Sequence, residues 1–219
     1  CIRDRNQDDI QHAIEEYANS AALAIEAGFD GVELHGANGY LIDQFLNTAS
    51  NHRNDQWGGS IENRARFAIE VAQATCERIG SERTGIRLSP YGVFNGMQPD
   101  EEMDALYTYL AKEFSRLKLA YIHIVDHSAM GAPDVPQSIK SAIRENFSGA
   151  IILSGGYDRD RANTDLDANK GDLVAFGRPY ISNPDLAYRF KENAAMADAD
   201  METFYSPGEQ GYTDYSAAS

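Results

Sequence analysis

His35, Asn38 and Tyr40 stand together in His35-Gly36-Ala37-Asn38-Gly39-Tyr40, directly after the apolar run Phe29-Asp30-Gly31-Val32-Glu33-Leu34. The pattern sets two neutral hydrogen-bonding side chains and a phenol at the end of a buried strand, where an α/β barrel keeps its chemistry. An imidazole and a carboxamide can grip a carbonyl oxygen, and a phenol held nearby can deliver a proton. None of the three supplies a hydride, so a reduction at this site requires a cofactor held elsewhere in the chain.

Two glycine turns provide a candidate anchor. Ser154-Gly155-Gly156-Tyr157 and Gly177-Arg178-Pro179 each follow an apolar strand-like run. Both offer bare backbone amides to a phosphate, and Arg178 adds a bidentate partner. One Gly-Gly turn after a strand is more often tight packing; two in succession, one carrying Arg, favour phosphate. In (β/α)8 barrels such a site lies after strands 7 and 8, which makes the first strand visible here the fourth and expects three more upstream. The length of 219 residues is short of the roughly 250 typical of a full barrel. Neither turn is G-x-G-x-x-G or G-x-x-x-x-G-K-[ST], so a Rossmann or P-loop site has no support.

The elements that position these residues repeat as helix then strand. Ile10, Ala13, Ile14, Tyr17, Ala21, Ala24 and Ile25 share a helical face, with Asp8 or Asp9 as N-cap and Gly28 past the end. A strand over 31–34 follows. After a long loop, Ser60 caps a helix carrying Ile61, Ala65, Ala68, Ile69, Ala72, Cys76 and Ile79, which Gly80 stops before a strand over 85–89. Pro99-Asp100-Glu101 opens a third helix ahead of a strand over 121–125. Helices around Ile139 to Phe147 and around Ala162 and Leu166 precede strands over 150–153 and 173–176. Five short strands separated by helices predict a parallel sheet with crossover helices.

Composition bounds the function. With 42% hydrophobic and 24% charged residues the chain reads as one globular domain, residues 1–219. Its 34 acidic against 19 basic residues give a net charge of −15, which argues against nucleic acid and anionic membrane partners. Cys1 and Cys76 are the only cysteines, too few for a disulfide framework, an iron–sulfur cluster or a structural zinc site, and they suit a reducing, cytoplasmic setting. No apolar run nears the roughly 20 residues of a membrane helix, and the start lacks a signal-peptide core. The missing initiating Met suggests a beginning inside a longer protein. The residues over 196–219 are expected as a tail folded over the active-site face.

His35-x-x-Asn38-x-Tyr40, Gln44-Phe45-Leu46, the run from Asn51-x-Arg53-x-Asp55 through Trp57-Gly58-Gly59-Ser60 to Glu62-Asn63-Arg64, Arg87-Leu88-Ser89-Pro90 and Phe176-Gly177-Arg178 together resemble the Old Yellow Enzyme family of flavin-dependent ene-reductases. The likeness runs from about residue 9 to residue 215. It implies a TIM (β/α)8 barrel, of which this chain supplies about the last five units. It further implies non-covalent FMN, reduced by NADPH or NADH, that reduces the C=C bond of α,β-unsaturated carbonyl or nitro compounds. By position, His35 and Asn38 resemble the pair that polarises the substrate carbonyl, and Tyr40 the proton donor. Arg87 resembles the residue beside the electron-rich edge of the flavin, Gly156, Gly177 and Arg178 the phosphate cradle, and Tyr205 an aromatic lining the substrate pocket.

Plainer readings stand beside these. His123 lies inside an apolar strand and reads as packed; His127, just past the strand end, is left between a structural and a pocket-facing role. His12 and His52 read as surface residues, Glu62, Arg64 and Arg66 as structural, and Trp57 as a packing anchor for the long loop. No H-E-x-x-H points to a metal and no G-x-S-x-G to a serine nucleophile. A five-strand remnant would expose two sheet edges. That gives an alternative of another class: an inactive truncated fragment or assembly partner, completed by an N-terminal chain or a homo-oligomeric partner. A dienoyl-CoA reductase-like FMN barrel is a third reading, disfavoured by the missing cysteine cluster.

Overall fold

The computed structural model describes residues 2–218; Cys1 lies outside them. After a 3-10 turn at Ile2–Asp4 come α1 (Gln7–Glu26), β1 (Val32–Gly36), α2 (Leu41–Leu46), α3 (Ile61–Ile79), β2 (Thr84–Leu88), α4 (Met103–Leu117) and β3 (Tyr121–Ile124). The order continues with α5 (Gln137–Asn146), β4 (Ala150–Ser154), α6 (Arg159–Asp167), β5 (Leu173–Ala175), α7 (Arg178–Ser182) and α8 (Leu186–Glu192). The five strands form one parallel sheet in the order β1-β2-β3-β4-β5.

Alternation along each strand assigns the two faces. Leu34, Ile86, Ile122 and Ile151 are in register, are almost fully buried, and pack under the helices. Ile10 and Ile14 of α1, Phe67 and Val71 of α3, Leu110 and Phe114 of α4, and Ile139 and Ile143 of α5 complete that core. Each such side chain contributes about 1.5–3 kcal/mol on leaving water. The opposite register, His35–Arg87–His123, is polar and only part-buried. One face of the sheet therefore holds the fold together and the other presents polar side chains.

Local signals explain most boundaries. Ser60 Oγ accepts from Asn63 N–H at 3.3 Å to start α3, and Gly80, at φ 97°, ends it. The N-cap of α1 is Asn6, not Asp8 or Asp9. Asn6 Oδ1 accepts from Asp9 N–H and Asp9 Oδ2 from Asn6 N–H, both at 2.9 Å, so Asp9 is the reciprocal partner of a capping box. Helix α4 begins at Met103 rather than at Pro99-Asp100-Glu101, because Asp100 Oδ1 accepts from Glu102 N–H at 2.9 Å and holds a turn ahead of the helix. Helix α2 falls inside the predicted long loop, and α7 and α8 fall in a stretch for which no element is predicted.

The long loop before α3 is pinned by Trp57, 1% exposed, whose Nε1–H donates to Gln7 Oε1 at 2.7 Å and whose ring meets Phe45 edge-on at 6.4 Å. Arg64, equally buried, donates to Leu46 O at 3.2 Å and to Glu102 at 2.7 Å, a structural role as expected. The C-terminal residues bind back to α8: Arg189 Nη2–H donates to Ser216 O at 2.9 Å and Ala218 N–H to Asp185 Oδ2 at 2.7 Å. Among the described residues no helix is long and apolar enough to cross a membrane.

Candidate active site

The site begins at the carboxyl end of β1. His35 leaves the strand beside Arg87 of β2, and Arg87 beside His123 of β3. Beneath them Glu33 Oε2 lies 2.9 Å from His123 Nδ1 and also accepts from Tyr121. Burial pushes the Glu33 carboxyl up, but the His123 and Tyr121 hydrogen bonds and the Arg87 charge outweigh it and hold the group below its usual range. Burial and the Glu33 carboxylate push the Tyr121 phenol up to about 12. His123 is packed within its strand, 11% exposed, but on the polar face, with Nδ1 engaged by Glu33.

The turn after β1 is held at nearly every polar atom. Asn38 and Gly39 take φ of 61° and 72°, a left-handed pair that Asn tolerates and Gly accepts freely. Asn38 N–H donates to Ser89 Oγ at 2.9 Å, Gly39 N–H to Asp43 Oδ2 at 2.8 Å, and Ser89 Oγ to the same Asp43 oxygen at 3.1 Å. Asn95 Nδ2–H donates to Asn38 O at 2.7 Å and Gln44 Nε2–H to Gly39 O at 2.9 Å. Asp43 is buried, and burial raises its carboxyl to about 6 despite the Gly39 and Ser89 bonds. Tyr40 follows as the exposed N-cap of α2, its ring tilted against that of His35 at 5.3 Å between centroids.

Opposite Asn38, His127 Nε2 lies 2.8 Å from Asn38 Oδ1, with the imidazole against the Phe94 ring at 4.7 Å. The structure therefore settles the open reading of His127: it faces the site. Burial first, then the Arg87 charge, lowers the pKa of both His35 and His127, so both imidazoles are neutral at pH 7.

Across the sheet, Arg87, His123, His127, Ser154, Gly155, Gly156, Gly177 and Arg178 line a cleft of about 530 Å³. Gly155, at φ 114°, passes so close to the turn after β3 that a Cβ there would lie 1.9 Å from Asp126 O. Arg161 donates to Gly155 O at 3.1 Å and lies 4.1 Å over the Tyr157 ring, which fixes the turn. Among the described residues, Arg178 forms no ion pair and the Gly156 and Gly177 amides donate no hydrogen bond. Arg87 Nε and His123 Nε2 are buried without a partner. The cleft thus has unspent donors at one end for an anion and, at the other, for the polar edge of a flat ligand.

Tyr205 sits apart. With Arg178, Tyr180, Met130 and Tyr212 it lines a neighbouring groove that His35, Asn38 and Tyr40 do not enter. It is 97% exposed, and its N–H donates to Tyr212 Oη at 2.8 Å. The structure joins it to the rest of the site only through Arg178 and Met130, which line both the groove and the cleft.

Over residues 3–196 the sequence matches the NADH:flavin oxidoreductase / NADH oxidase family. It is 45% identical over 213 residues to a putative 12-oxophytodienoate reductase 3 of Oryza sativa subsp. japonica, across 95% of this chain and 55% of that protein. Morphinone reductase in complex with tetrahydroNAD superposes with a TM-score of 0.92 at 46% identity, covering 98% of this chain and 58% of that one. The Old Yellow Enzyme homologue of Zymomonas mobilis gives 0.92 at 38% identity, over 98% and 61%. The chain spans a little over half the length of the proteins it matches, and its five parallel units are part of a TIM barrel.

Proposed function

Because the chain belongs to the NADH:flavin oxidoreductase / NADH oxidase family, the family of the Old Yellow Enzymes, we propose that it reduces the C=C bond of α,β-unsaturated carbonyl or nitro compounds. The hydride would come from FMN, when bound and reduced by NADPH or NADH. The cleft suits FMN: Gly156, Gly177 and Arg178 offer donors for its phosphate, and the unpartnered Arg87 Nε offers one for the ring edge, where the guanidinium also stabilises negative charge.

The observation that carries the reading is that His35 and Asn38, though not themselves lining that cleft, adjoin residues that do: His35 is in register with Arg87, and Asn38 Oδ1 lies 2.8 Å from His127 Nε2. His35 and Asn38 hold the carbonyl oxygen and stabilise the charge that grows on it as the β-carbon is attacked. Tyr40, exposed beside His35, delivers the proton to the α-carbon. Substituting His35 or Asn38 by Ala in the FMN-loaded protein is expected to lower kcat/KM for cyclohex-2-enone about 10²-fold, as loss of one such donor does. Reduction by NADPH in the absence of enone tests flavin loading in the same samples; unchanged enone turnover in both variants overturns the reading.

One observation favours a second reading. Strands β1 and β5 each pair on one side only among the described residues, and the face carrying His35, Arg87 and His123 is part-exposed. On this reading the chain is catalytically silent until a complementary N-terminal piece closes the barrel. Adding that piece in trans would then raise flavin affinity from nothing to measurable.

A further inference from the structure

The contact between His127 and Asn38 joins residues 89 apart in sequence, from the ends of β3 and β1. A carboxamide has nearly the same shape when rotated by half a turn, yet one orientation presents two N–H donors and the other an acceptor. A carbonyl-binding Asn must present N–H, and nothing within its own side chain enforces that. Asn38 Oδ1 only accepts, so a donor opposite it fixes the choice.

We infer that His127 is a positioning residue for Asn38: its Nε2–H donates to Asn38 Oδ1 and turns the Asn38 amide N–H groups toward the substrate oxygen. The inference rests on the reading of Asn38 as a carbonyl ligand. The pair is clamped by the loop after β2, where Phe94 packs on the imidazole and Asn95 Nδ2–H binds Asn38 O at 2.7 Å. Ser89 Oγ holds Asn38 N–H at 2.9 Å, so the backbone cannot swing to relieve a wrong side-chain orientation. Burial and the charges of Arg87 and Arg178 disfavour the imidazolium, which leaves a neutral ring with a single N–H. The reverse arrangement, with Nε2 accepting from Nδ2–H, would set the Asn38 oxygen against a carbonyl oxygen.

Nitrogen-15 NMR of the histidine rings in the full chain reads the tautomer without cofactor or substrate. The expected result is Nε2–H at His127; an Nδ1–H tautomer overturns the inference whatever the protein's activity. In the FMN-loaded protein, His127→Gln keeps a donor near the same place and His127→Leu removes it. The Leu variant is expected to raise KM for cyclohex-2-enone about tenfold, the effect of one lost or misdirected hydrogen bond, and the Gln variant to stay within about threefold. Equal KM values across the wild type and both variants overturn the role. An Nε2–H tautomer in a flavin-loaded wild type that turns over no enone supports the amide orientation and contradicts the proposed function.

Discussion

Tyr40 is exposed and touches His35 only ring to ring, so removing its hydroxyl takes away a proton without opening a cavity. Tyr40→Phe should lower kcat for enone reduction about 10²-fold or more while the NADPH half-reaction, followed by stopped-flow absorbance, keeps its rate. An unchanged kcat removes Tyr40 as the donor. Asp43 makes a different prediction. Folding raises its carboxyl from 3.8 to about 6, so the folded state binds more protons between those values, and its contribution makes stability fall as pH rises through that window. The loss is about 3 kcal/mol at most. In Asp43→Asn it is absent, so urea unfolding of variant and wild type should diverge in the variant's favour from pH 4 to 6 and run parallel above; a pH-independent difference contradicts this. The placement of His35, Asn38, Tyr40 and Arg87 at or just beyond the ends of β1 and β2 was legible because their neighbours in sequence form those strands. His127, Asp43 and the Glu33–His123 pair were not. Their roles come from partners in other elements, and Glu33 inside an apolar run gives no sign that it faces inward.

At the scale of elements, the strand-to-helix turns hold the residues proposed for chemistry and the long helices bury most of the core. Gly155 shows the difference. A Cβ there would lie 1.9 Å from Asp126 O, on a φ of 114° that side chains avoid. Gly155→Ala should therefore displace the turn at a cost of about 1–3 kcal/mol and weaken FMN binding at least about tenfold. Thermal unfolding and a flavin fluorescence titration measure the two effects; unchanged FMN affinity would remove this turn from the phosphate site. The five strands and the helices α1, α3, α4 and α5 were readable because each has a caplike residue or a long apolar period. Helices α2, α7 and α8, of five to seven residues, were not. Helices so short are marginal alone and form here through packing, as Ile42, Phe45 and Leu186 show by their burial.

For the whole molecule, the sheet divides the work between its faces: an apolar one under the helices and a polar one bearing His35, Arg87 and His123. The parallel sense of the strands followed from the helix–strand repeat; their sequential order did not, since the same repeat also builds doubly wound sheets, and it came with the barrel resemblance. The central claim is that this polar face, with the two glycine turns, builds a working flavin site. The visible absorption spectrum of the purified chain supplied with FMN, with an intact mass on the same sample, tests that most directly. The account predicts a bound-flavin spectrum that NADPH or NADH bleaches under anaerobic conditions and that an enone restores. A colourless chain of the correct mass that takes up no FMN would contradict it.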